Sequence, residues 1–446
     1  MNFKTPRNPN YAATVVRLNT FIDLANCDNV KHALIYGNSV IVAKNAPVGE
    51  MGIFFPVETQ LSKEFLGANN LYAKPEYGNI DPNKKGYVTE QGRVKAGRFR
   101  GHKSEGFWIP VNSLAFTGIN PAALTEGDTF DFIGDIEICR KYIIRTSGNG
   151  ANKTRAKVAR LEDSIVDNQF RFHFDTENLR KNISKLRVTE TISISSKWHG
   201  TSAVFANVLV KRKLSFLERL VRRVGVRVQE TEYGLTHSSR RVVKGIAGVD
   251  KSNAVHFYGS DVWGVVAKEI ADRLPKSYTV YGEIVGYTPD GKAIQAAPGG
   301  KAYHYGCAHG MHKFLVYRVT TTNPDGKVLD LPWRTMMEFC SKYGFEPVKE
   351  LYYGPITDLI PWDSTMDIRD WQQNVLTYLE KTYVNDSMCP YNNNEVPEEG
   401  IVVRIDSLEE CISFKLKNFL FLEAETKLND AGVLDIETSE STTEEE

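Results

Sequence analysis

Short runs of β-branched and aromatic residues, interrupted by glycine and proline, constrain the fold of this chain more than any other feature. Between residues 11 and 140 these runs include TVVRLNTF, HALIYGNSVIVAK, MGIFFPVET and FWIPVNSLAF. Partial alternation of apolar and polar residues predicts strands, and the intervening glycines and prolines predict turns. We therefore expect a small antiparallel barrel or sandwich in this part of the chain.

The pattern changes near residue 190, where strand-like and helix-like segments begin to alternate. Strands are predicted at TISISS, SAVFANVLV, YTVYGEIVGY, FLVYRVT, GIVVRID and CISFKLK. Helices are predicted at DVWGVVAKEIADRL, WRTMMEFCSKYG and WQQNVLTYLEKTY, because their apolar residues recur three and four positions apart. The predicted fold class is α+β, with an all-β domain at the N-terminus.

The 446 residues exceed the length of one typical domain, and shifts in composition suggest where the chain divides. We predict a β-domain over residues 1–145, a linker over 146–185 that includes the polar loop SGNGANKTRAK, and a mixed domain over 186–428. Residues 429–446 carry only acidic charges and end in SESTTEEE, which predicts a disordered tail.

The net charge of zero conceals an uneven distribution. Seven acidic residues follow Lys427, and without them 55 basic residues stand against 48 acidic ones, a net charge of +7. A basic body suits a polyanionic partner. The sequence lacks a long apolar run and the apolar core of a signal peptide, so we expect a soluble, intracellular (cytoplasmic) monomer without membrane contact. The six cysteines form no C-x-x-C pair, which indicates reduced thiols rather than a zinc site.

The segment KWHGTS places Lys197 at the end of a strand-like run, with Gly200 three residues later. A lysine becomes a nucleophile where burial or neighbouring cations favour its neutral amine. Lys415 and Lys417 in SFKLKN are two residues apart and so face the same side of a strand, and SSRRVVK adds Arg240. These cations suit the phosphates of a nucleotide. Taken singly, each also fits an exposed charge near a strand edge or a turn.

Carboxylates and aromatic side chains complete the candidate set. Glu283 lies within VYGEIVGY, and Glu399 directly precedes the strand-like run in PEEGIVVRID. Phosphoryl transfer uses divalent metal, which carboxylates hold directly or through water; an ion pair is the alternative role for each. HKFLVYRVT offers Phe314 and Tyr317 for stacking on a base, although aromatic residues on strands also fill cores.

The order of these elements carries more information than any one of them. K-x-x-G, S-R, G-E, an aromatic strand, E-G-x-V and K-x-K follow one another along the chain. This order resembles motifs I, Ia, III, IIIa, IV and V of the covalent nucleotidyltransferase superfamily. The histidine of KWHGTS and the β-domain that precedes it resemble RNA ligase family 5, in which an OB-like module precedes the transferase domain. The resemblance covers residues 11–427, and the 29 residues after Lys417 leave no room for the C-terminal OB domain of DNA ligases and capping enzymes.

The resemblance implies a role for each candidate residue. Lys197 would attack the α-phosphorus of ATP, with Arg240, Lys415 and Lys417 as the other catalytic residues. Mg²⁺ or Mn²⁺ would be held by Glu283 and Glu399. The partner would be RNA, as a nicked duplex or as RNA ends. The nucleotide would contact Lys197, Trp198, His199, Arg240, Glu283, Phe314 or Tyr317, Glu399, Lys415 and Lys417.

Other interpretations fit the same residues. A DNA-joining or capping-type nucleotidyltransferase would share the motifs, and a catalytically inactive adaptor that binds nucleic acid would share the fold. LVKRKLSFLERLVRRVGVRV places Arg219, Arg222 and Arg223 at helical spacing, which fits either contact with phosphates or an exposed helix face. GRVKAGRFRGHKSEGFWIP likewise fits either a nucleic-acid-binding surface or an exposed charged hairpin.

Overall fold

The computed structural model describes residues 3–144, 161–247, 258–406 and 411–433. The predicted loop SGNGANKTRAK and residues 434–446 of the predicted tail lie outside these ranges. The described chain combines antiparallel sheets with packed helices, so the predicted α+β class is confirmed. All six cysteines are free thiols, and only Cys307 is not buried.

Residues 3–144 consist mainly of short strands with a single turn-and-a-half helix, α1 (Lys63–Ala68), which the Ser62 side chain caps. The strands are β1 (Ala13–Arg17), β2 (Phe21–Asp23), β3 (Val30–Ile35), β4 (Asn38–Ala43), β5 (Met51–Phe55), β6 (Thr59–Leu61), β7 (Ala96–Phe99), β8 (His102–Glu105), β9 (Phe107–Pro110), β10 (Thr129–Phe130), β11 (Phe132–Ile133), β12 (Ile136–Glu137) and β13 (Cys139–Lys141).

These strands form several small antiparallel sheets around two apolar clusters. The largest has the order β10-β1-β5-β9, a second has the order β2-β3-β4, and β13-β6, β7-β8 and β11-β12 are pairs. Alternate residues of the strands point inward, and Ile53, Phe55, Phe65 and Phe130 are fully buried between them. Within residues 3–144 the strand hydrogen bonds do not close into one ring, so the all-β character is confirmed but a closed barrel is not seen.

The second part of the chain alternates strands and helices. Its helices are α2 (Leu179–Asn182), α3 (Phe216–Arg223), α4 (Val262–Ile270), α5 (Trp333–Tyr343), α6 (Ile368–Tyr383) and α7 (Phe419–Asp430). Its strands are β14 (Glu177–Asn178), β15 (Thr191–Lys197), β16 (Thr201–Lys211), β17 (Thr231–Ser238), β18 (Val243–Ile246), β19 (Tyr278–Gly286), β20 (Ala296–Ala297), β21 (Lys301–Ala302), β22 (His312–Thr322), β23 (Val328–Asp330), β24 (Glu346–Pro347), β25 (Glu350–Pro355), β26 (Gly400–Ile405) and β27 (Ile412–Lys417).

Every strand and helix predicted after residue 190 is present, because each has the apolar period of its element. Helix α5 ends where Gly344 adopts a left-handed conformation, and α6 begins at the capping side chain of Asp367. None of the helices in the described ranges is long and apolar enough to cross a membrane.

Two sheets organise this second part. The seven-stranded sheet has the order β18-β17-β16-β19-β22-β23, with β24 also paired to β22, and it shares a core with α4 and α5 around Trp263 and Met336. The five-stranded sheet has the order β14-β27-β26-β15-β25 and packs its apolar face on Trp371 and Leu376 of α6. Strand β15 belongs to the five-stranded sheet and β16 to the seven-stranded one. Lys197 is therefore the last residue of β15, and the chain passes from the five-stranded to the seven-stranded sheet directly after it.

Helix α7 connects the two parts of the molecule. The Asn418 side chain accepts a hydrogen bond from the Leu420 N–H at 3.0 Å, which starts the helix directly after β27. On the N-terminal side, the fully buried guanidinium of Arg93 contacts Glu58 at 2.6 Å and Asp430 of α7 at 3.2 Å. Asn429 of α7 donates a further hydrogen bond to Glu58 at 3.0 Å. A buried polar network thus fixes α7 against the N-terminal part.

Candidate active site

Three adjacent strands hold the predicted lysines in register. Lys197 of β15 lies opposite Gly400 of β26, and Gly400 lies opposite Lys417 of β27. Residues directly opposite in antiparallel strands project from the same face, and Lys415 is two residues from Lys417. The three lysines therefore share the face that points away from α6, which confirms that Lys415 and Lys417 lie on one side of their strand. A Cβ atom at Gly400 would lie 2.1 Å from the Leu416 carbonyl oxygen, so this close pairing requires glycine.

The lysines open into a cavity of about 410 Å³ lined by residues of both sheets. A cavity of this size accommodates a nucleotide. The N-terminal part contributes part of its wall, including Tyr11, Glu58, Lys141 and Tyr142. Nine of the ten predicted site residues line it: Lys197, Trp198, His199, Arg240, Glu283, Tyr317, Glu399, Lys415 and Lys417.

Lys197 and Glu399 form an ion pair at the centre of the cavity. The Lys197 Nζ atom lies 2.7 Å from Glu399 Oε1, and Lys417 Nζ lies 3.7 Å from the same oxygen. Burial raises the pKa of Glu399, but the charges of Lys197, Lys417 and His199 outweigh it and lower the pKa to about 2. Glu399 is thus an anion that neutralises part of the lysine cluster, so the cations predicted around Lys197 are accompanied by a carboxylate in direct contact with it.

The two lysines of β27 have different electrostatic surroundings. Burial and the neighbouring charges of Lys417 and Lys197 lower the pKa of Lys415 to about 7. Burial also acts to lower the pKa of Lys417, but the carboxylates of Glu425 and Glu399 outweigh it and raise the pKa above its ordinary value. Glu425 of α7 contacts Lys417 Nζ at 3.2 Å. Lys417 is therefore a fixed cation, whereas Lys415 changes charge near neutral pH.

Arg240 lies in the same cavity and pairs with a carboxylate from a distant segment. Its guanidinium donates a hydrogen bond to Asp175, whose carboxylate also lies 3.7 Å from Arg241. Burial raises the pKa of Asp175, but the charge of Arg240 outweighs it and lowers the pKa to about 2. Burial and the charges of Arg318 and Arg240 hold the pKa of the neighbouring His173 well below its usual range, so that ring is neutral.

The turn after Lys197 is held by hydrogen bonds from three directions. The His199 N–H donates to the Tyr305 hydroxyl at 2.8 Å, and the Gly200 N–H donates to Glu283 at 3.1 Å. Gln295 donates to the Gly200 carbonyl at 2.6 Å. A Cβ atom at Gly200 would lie 2.2 Å from the Ile284 carbonyl oxygen, so only glycine fits this position of K-x-x-G. Glu283 therefore fixes the turn that carries the lysine as well as lining the cavity.

Aromatic rings surround this turn. Trp198 packs against Tyr305 and Tyr391, with ring centroids 4.6 and 5.1 Å apart. The His199 ring makes edge contacts with Tyr303 at 5.0 Å and with Phe421 at 4.9 Å. These contacts restrict the rotamers of Trp198 and His199, which orients the polypeptide on either side of the Lys197 side chain.

The structure separates the two aromatic candidates. Tyr317 lines the cavity, and its hydroxyl lies 3.4 Å from the Ser202 hydroxyl. Phe314 is not among the described residues that line it; its ring makes an edge contact with the buried Phe205 at 4.8 Å. The adjacent Arg318 also lines the cavity, where its guanidinium forms a buried ion pair with Asp330 at 2.5 Å. Tyr317 is accordingly the ring available to a ligand.

Three residues in this site carried no signal that the sequence alone could have used. Asp175 lies two residues before β14, Tyr305 lies in a turn between β21 and β22, and Glu425 lies on α7. Each meets its partner only through the tertiary fold.

The fold and the lysine-centred cavity define a covalent nucleotidyltransferase, in which a lysine on a strand end faces a nucleotide-sized site. The sequence matches the RNA ligase family over residues 190–417. That match covers more than half of the chain, and the protein belongs to the RNA ligase family. No curated protein matches the sequence.

Solved structures of an RNA ligase from Naegleria gruberi have a similar fold. The structure with PPi has a TM-score of 0.55 at 14% identity and covers 94% of this chain and 98% of its own. A variant with AMP and Mn has a TM-score of 0.54 at 14% identity, covering 92% and 98%. A variant with ATP and Mn has the same TM-score of 0.54 at 13% identity. The similarity extends over the N-terminal part as well as the transferase part.

Proposed function

We propose that this protein joins a 3′-hydroxyl to a 5′-phosphate RNA end in an ATP-dependent reaction, with Lys197 as the nucleophile that forms lysyl-AMP. The observation that carries the proposal is the position of Lys197. It lies at a crossing between two sheets, 2.7 Å from the buried Glu399 and in a cavity of about 410 Å³ that Lys415, Lys417 and Arg240 also line. A nucleotide bound there would meet a nucleophile and three cations.

In the first step, Lys197 releases a proton to water and its neutral amine attacks the α-phosphorus of ATP. The new phosphorus–nitrogen bond forms as the bond to the bridging oxygen breaks, and pyrophosphate leaves with the electron pair. Lys415, Lys417 and Arg240 would stabilise the charge on the phosphate oxygens in this in-line transfer. ATP phosphates would also favour the charged form of Lys415, whose pKa of about 7 leaves it poised to take up a proton.

AMP then moves from Lys197 to the 5′-phosphate of RNA, and a 3′-hydroxyl displaces AMP to form the phosphodiester. Both steps are phosphoryl or nucleotidyl transfers to an oxygen atom, so the protein contributes mainly position and charge. We assign Tyr317 to stacking on adenine, because it lines the cavity and Phe314, the other predicted stacking ring, does not. Trp198 and His199 support the turn that presents Lys197 and complete the nucleotide-binding wall.

A buried carboxylate oxygen in the cavity fits the binding of Mg²⁺ or Mn²⁺. The Oε2 atom of Glu399 is buried and accepts no hydrogen bond from the described residues, and a hydrated cation would satisfy it. Glu399 would hold the metal, together with Glu283, which also lines the cavity. The described residues contain no group of three or more His, Cys, Asp or Glu side chains suited to a metal, so phosphates and water would complete its coordination. The bound metal would shield the phosphate charges from the nucleophile.

The domain boundaries form part of the proposal. We assign residues 1–145 to an OB-like RNA-binding module, 146–185 to a linker, 186–428 to the transferase and 429–446 to an acidic tail, as in RNA ligase family 5. Lys141 and Tyr142 in the cavity wall support a role for the first module near the substrate. Its hairpin β7-β8 is basic, and Arg98 and Lys103 both lie over the ring of Phe419 on α7. These contacts bring the hairpin towards the transferase part.

Labelling with ATP that carries radioactive α-phosphate tests the lysyl-AMP step. The wild-type protein should retain the label on a denaturing gel in the presence of Mg²⁺ or Mn²⁺, and Lys197→Ala should not. Lys213→Ala removes an exposed lysine outside the cavity and should label as the wild type does. An unlabelled wild type, or a labelled Lys197→Ala protein, would contradict the mechanism.

Sealing assays then define the nucleic acid. A splinted RNA nick, loose RNA ends and the same nick with DNA on the 3′-hydroxyl side should be compared, with RNA sealing expected. Equal sealing of the DNA strand would indicate a DNA-joining enzyme. A protein that binds RNA but takes no label would be the inactive adaptor.

A further inference from the structure

Helix α3 lies at the far end of the hairpin formed by β16 and β17, and none of its residues is buried. Its formation is encoded locally. The Ser215 hydroxyl accepts a hydrogen bond from the Glu218 N–H at 3.3 Å, and the Glu218 carboxylate accepts one from the Ser215 N–H at 2.7 Å. This reciprocal capping box stabilises a helix that receives little support from tertiary packing.

The helix has two fully separated faces. Successive residues are rotated by about 100°, which places all apolar residues from 216 to 224 within an arc of about 140°. The opposite arc holds only charged residues. The apolar arc consists of Phe216, Leu217, Leu220, Val221 and Val224, and the charged arc consists of Glu218, Arg219, Arg222 and Arg223.

The apolar face is open to solvent. Phe216 is 78% exposed, Leu217 69%, Leu220 50% and Val224 76%, and Val226 beyond the helix is 53% exposed. Scattered single apolar residues are normal on a surface, but a contiguous group of this kind marks an interaction site. We therefore expect a binding partner to bury this apolar face.

The charged face is strongly basic. Residues 211–227 contain seven basic residues and one acid, a net charge of +6. Arg212 pairs with Glu218, and Arg222 lies 3.3 Å from Glu230. The described residues provide no ion-pair partner for the other five cations of the helix and its flanks, which are Lys211, Lys213, Arg219, Arg223 and Arg227. Within the described residues this surface therefore keeps an excess of positive charge, which suits an anionic partner.

We propose that α3 and its flanks are a docking element for an anionic lipid surface. The cations would meet lipid headgroups while the apolar arc enters the boundary with the acyl chains, and this is the binding mode of basic amphipathic helices. RNA phosphates would engage the cations alone and leave the apolar arc exposed. A second copy would bring like charges together, and a helix about 12 Å long falls far short of a stable dimer interface.

The position of α3 separates this surface from the cavity. Ser202 of β16 lines the cavity, whereas α3 follows Lys211 at the other end of the same strand. Nine residues of extended strand span about 30 Å. Lipid docking would leave the cavity accessible, so the docking proposal does not depend on the ligase mechanism. An experiment can therefore refute the docking proposal while the ligase mechanism stands.

Flotation of the full-length protein with lipid vesicles tests the docking element. The wild type should float with vesicles of phosphatidylcholine mixed with phosphatidylglycerol, and should not float with phosphatidylcholine alone. Substituting Arg219, Arg222 and Arg223 together by alanine should weaken binding on the order of 100-fold. A second variant with Leu217→Ser, Leu220→Ser and Val221→Ser should also lose flotation. Both should take the ATP label as the wild type does, because the substituted side chains are exposed.

A matched control removes three positive charges elsewhere. Lys74, Lys84 and Lys85 are exposed residues of the N-terminal part, and their joint substitution by alanine should leave flotation unchanged. The proposal is overturned if the wild type stays with the unbound fraction at low salt. It is also overturned if the serine variant floats like the wild type while the arginine variant only seals RNA less well, since α3 would then be an RNA contact.

Discussion

Replacing Lys415 by methionine removes a positive charge that the folded protein accommodates poorly. Burial and the charges of Lys417, Lys197 and Arg240 lower the pKa of Lys415 from 10.5 to about 7. Between these two values the unfolded chain binds a proton at Lys415 that the folded protein has released. The free energy of unfolding therefore rises with pH across this window, and the destabilisation by Lys415 is fully present below pH 7.

The size of the effect follows from the shift. One pKa unit corresponds to about 1.4 kcal/mol, which gives an upper limit of about 5 kcal/mol at neutral pH. Lys415 is half-buried and lines an open cavity, so screening by solvent reduces this limit by about half. Lys415→Met should therefore raise the free energy of unfolding by about 2 kcal/mol near pH 7 and by less than about 1 kcal/mol near pH 9.5. The same change should abolish labelling by ATP, because a cation facing the phosphates is lost.

Urea unfolding followed by tryptophan fluorescence at several pH values measures the difference. Lys427→Met, which changes an exposed lysine of α7, is the matched control and should shift stability little and equally at every pH. A Lys415→Met protein that is no more stable than the wild type near neutral pH would refute the reasoning. So would a gain in stability that does not decline as the pH rises.

Three further predictions concern other contacts. Glu399→Gln should prevent labelling by ATP. The wild type should also lose the stability that the Glu399 carboxylate provides as the pH falls from 4.5 towards 2, because that carboxylate becomes protonated. Urea titrations in acid would detect this loss in the wild type and its absence in the variant. Tyr317→Ala should weaken ATP binding about tenfold in calorimetry while Tyr317→Phe keeps it, whereas Phe314→Ala should lower the unfolding midpoint and spare ATP affinity. Arg93→Ala should cost about 3–5 kcal/mol in urea unfolding, because Glu58 would stay buried without its partner.

The strands and helices of the transferase part were predictable because each has a clear apolar period. The common face of Lys415 and Lys417 was also accessible, since the two-residue repeat fixes which side of a strand each residue occupies. What the period cannot give is the pairing of strands distant in sequence. The contact of Lys197 with Glu399 arises from such a pairing, in which Lys197 lies opposite Gly400. It therefore required the structure.

The N-terminal part illustrates a second limit. Its strands are short, and the sequence of a short strand shows where the turns lie but not which other strand it pairs with. The sequence therefore indicated β-structure but not the division into several sheets. The aromatic candidates illustrate a third. Phe314 and Tyr317 lie on one strand, and a strand buried on both faces carries apolar residues at consecutive positions. The structure distinguishes them: Tyr317 lines the cavity, and Phe314 packs against Phe205.

The register that aligns Lys197, Gly400 and Lys417 has a consequence for how such an enzyme can diverge. The two lysines are 220 positions apart, yet they lie on one rung of the sheet. Loss or gain of one residue within any of the three strands would turn the following side chains to the opposite face. Residues added between the strands would leave the rung intact, because they do not change the register within any strand. Length variation among related ligases should therefore collect in the connections, and gaps in their alignments should avoid these three strands.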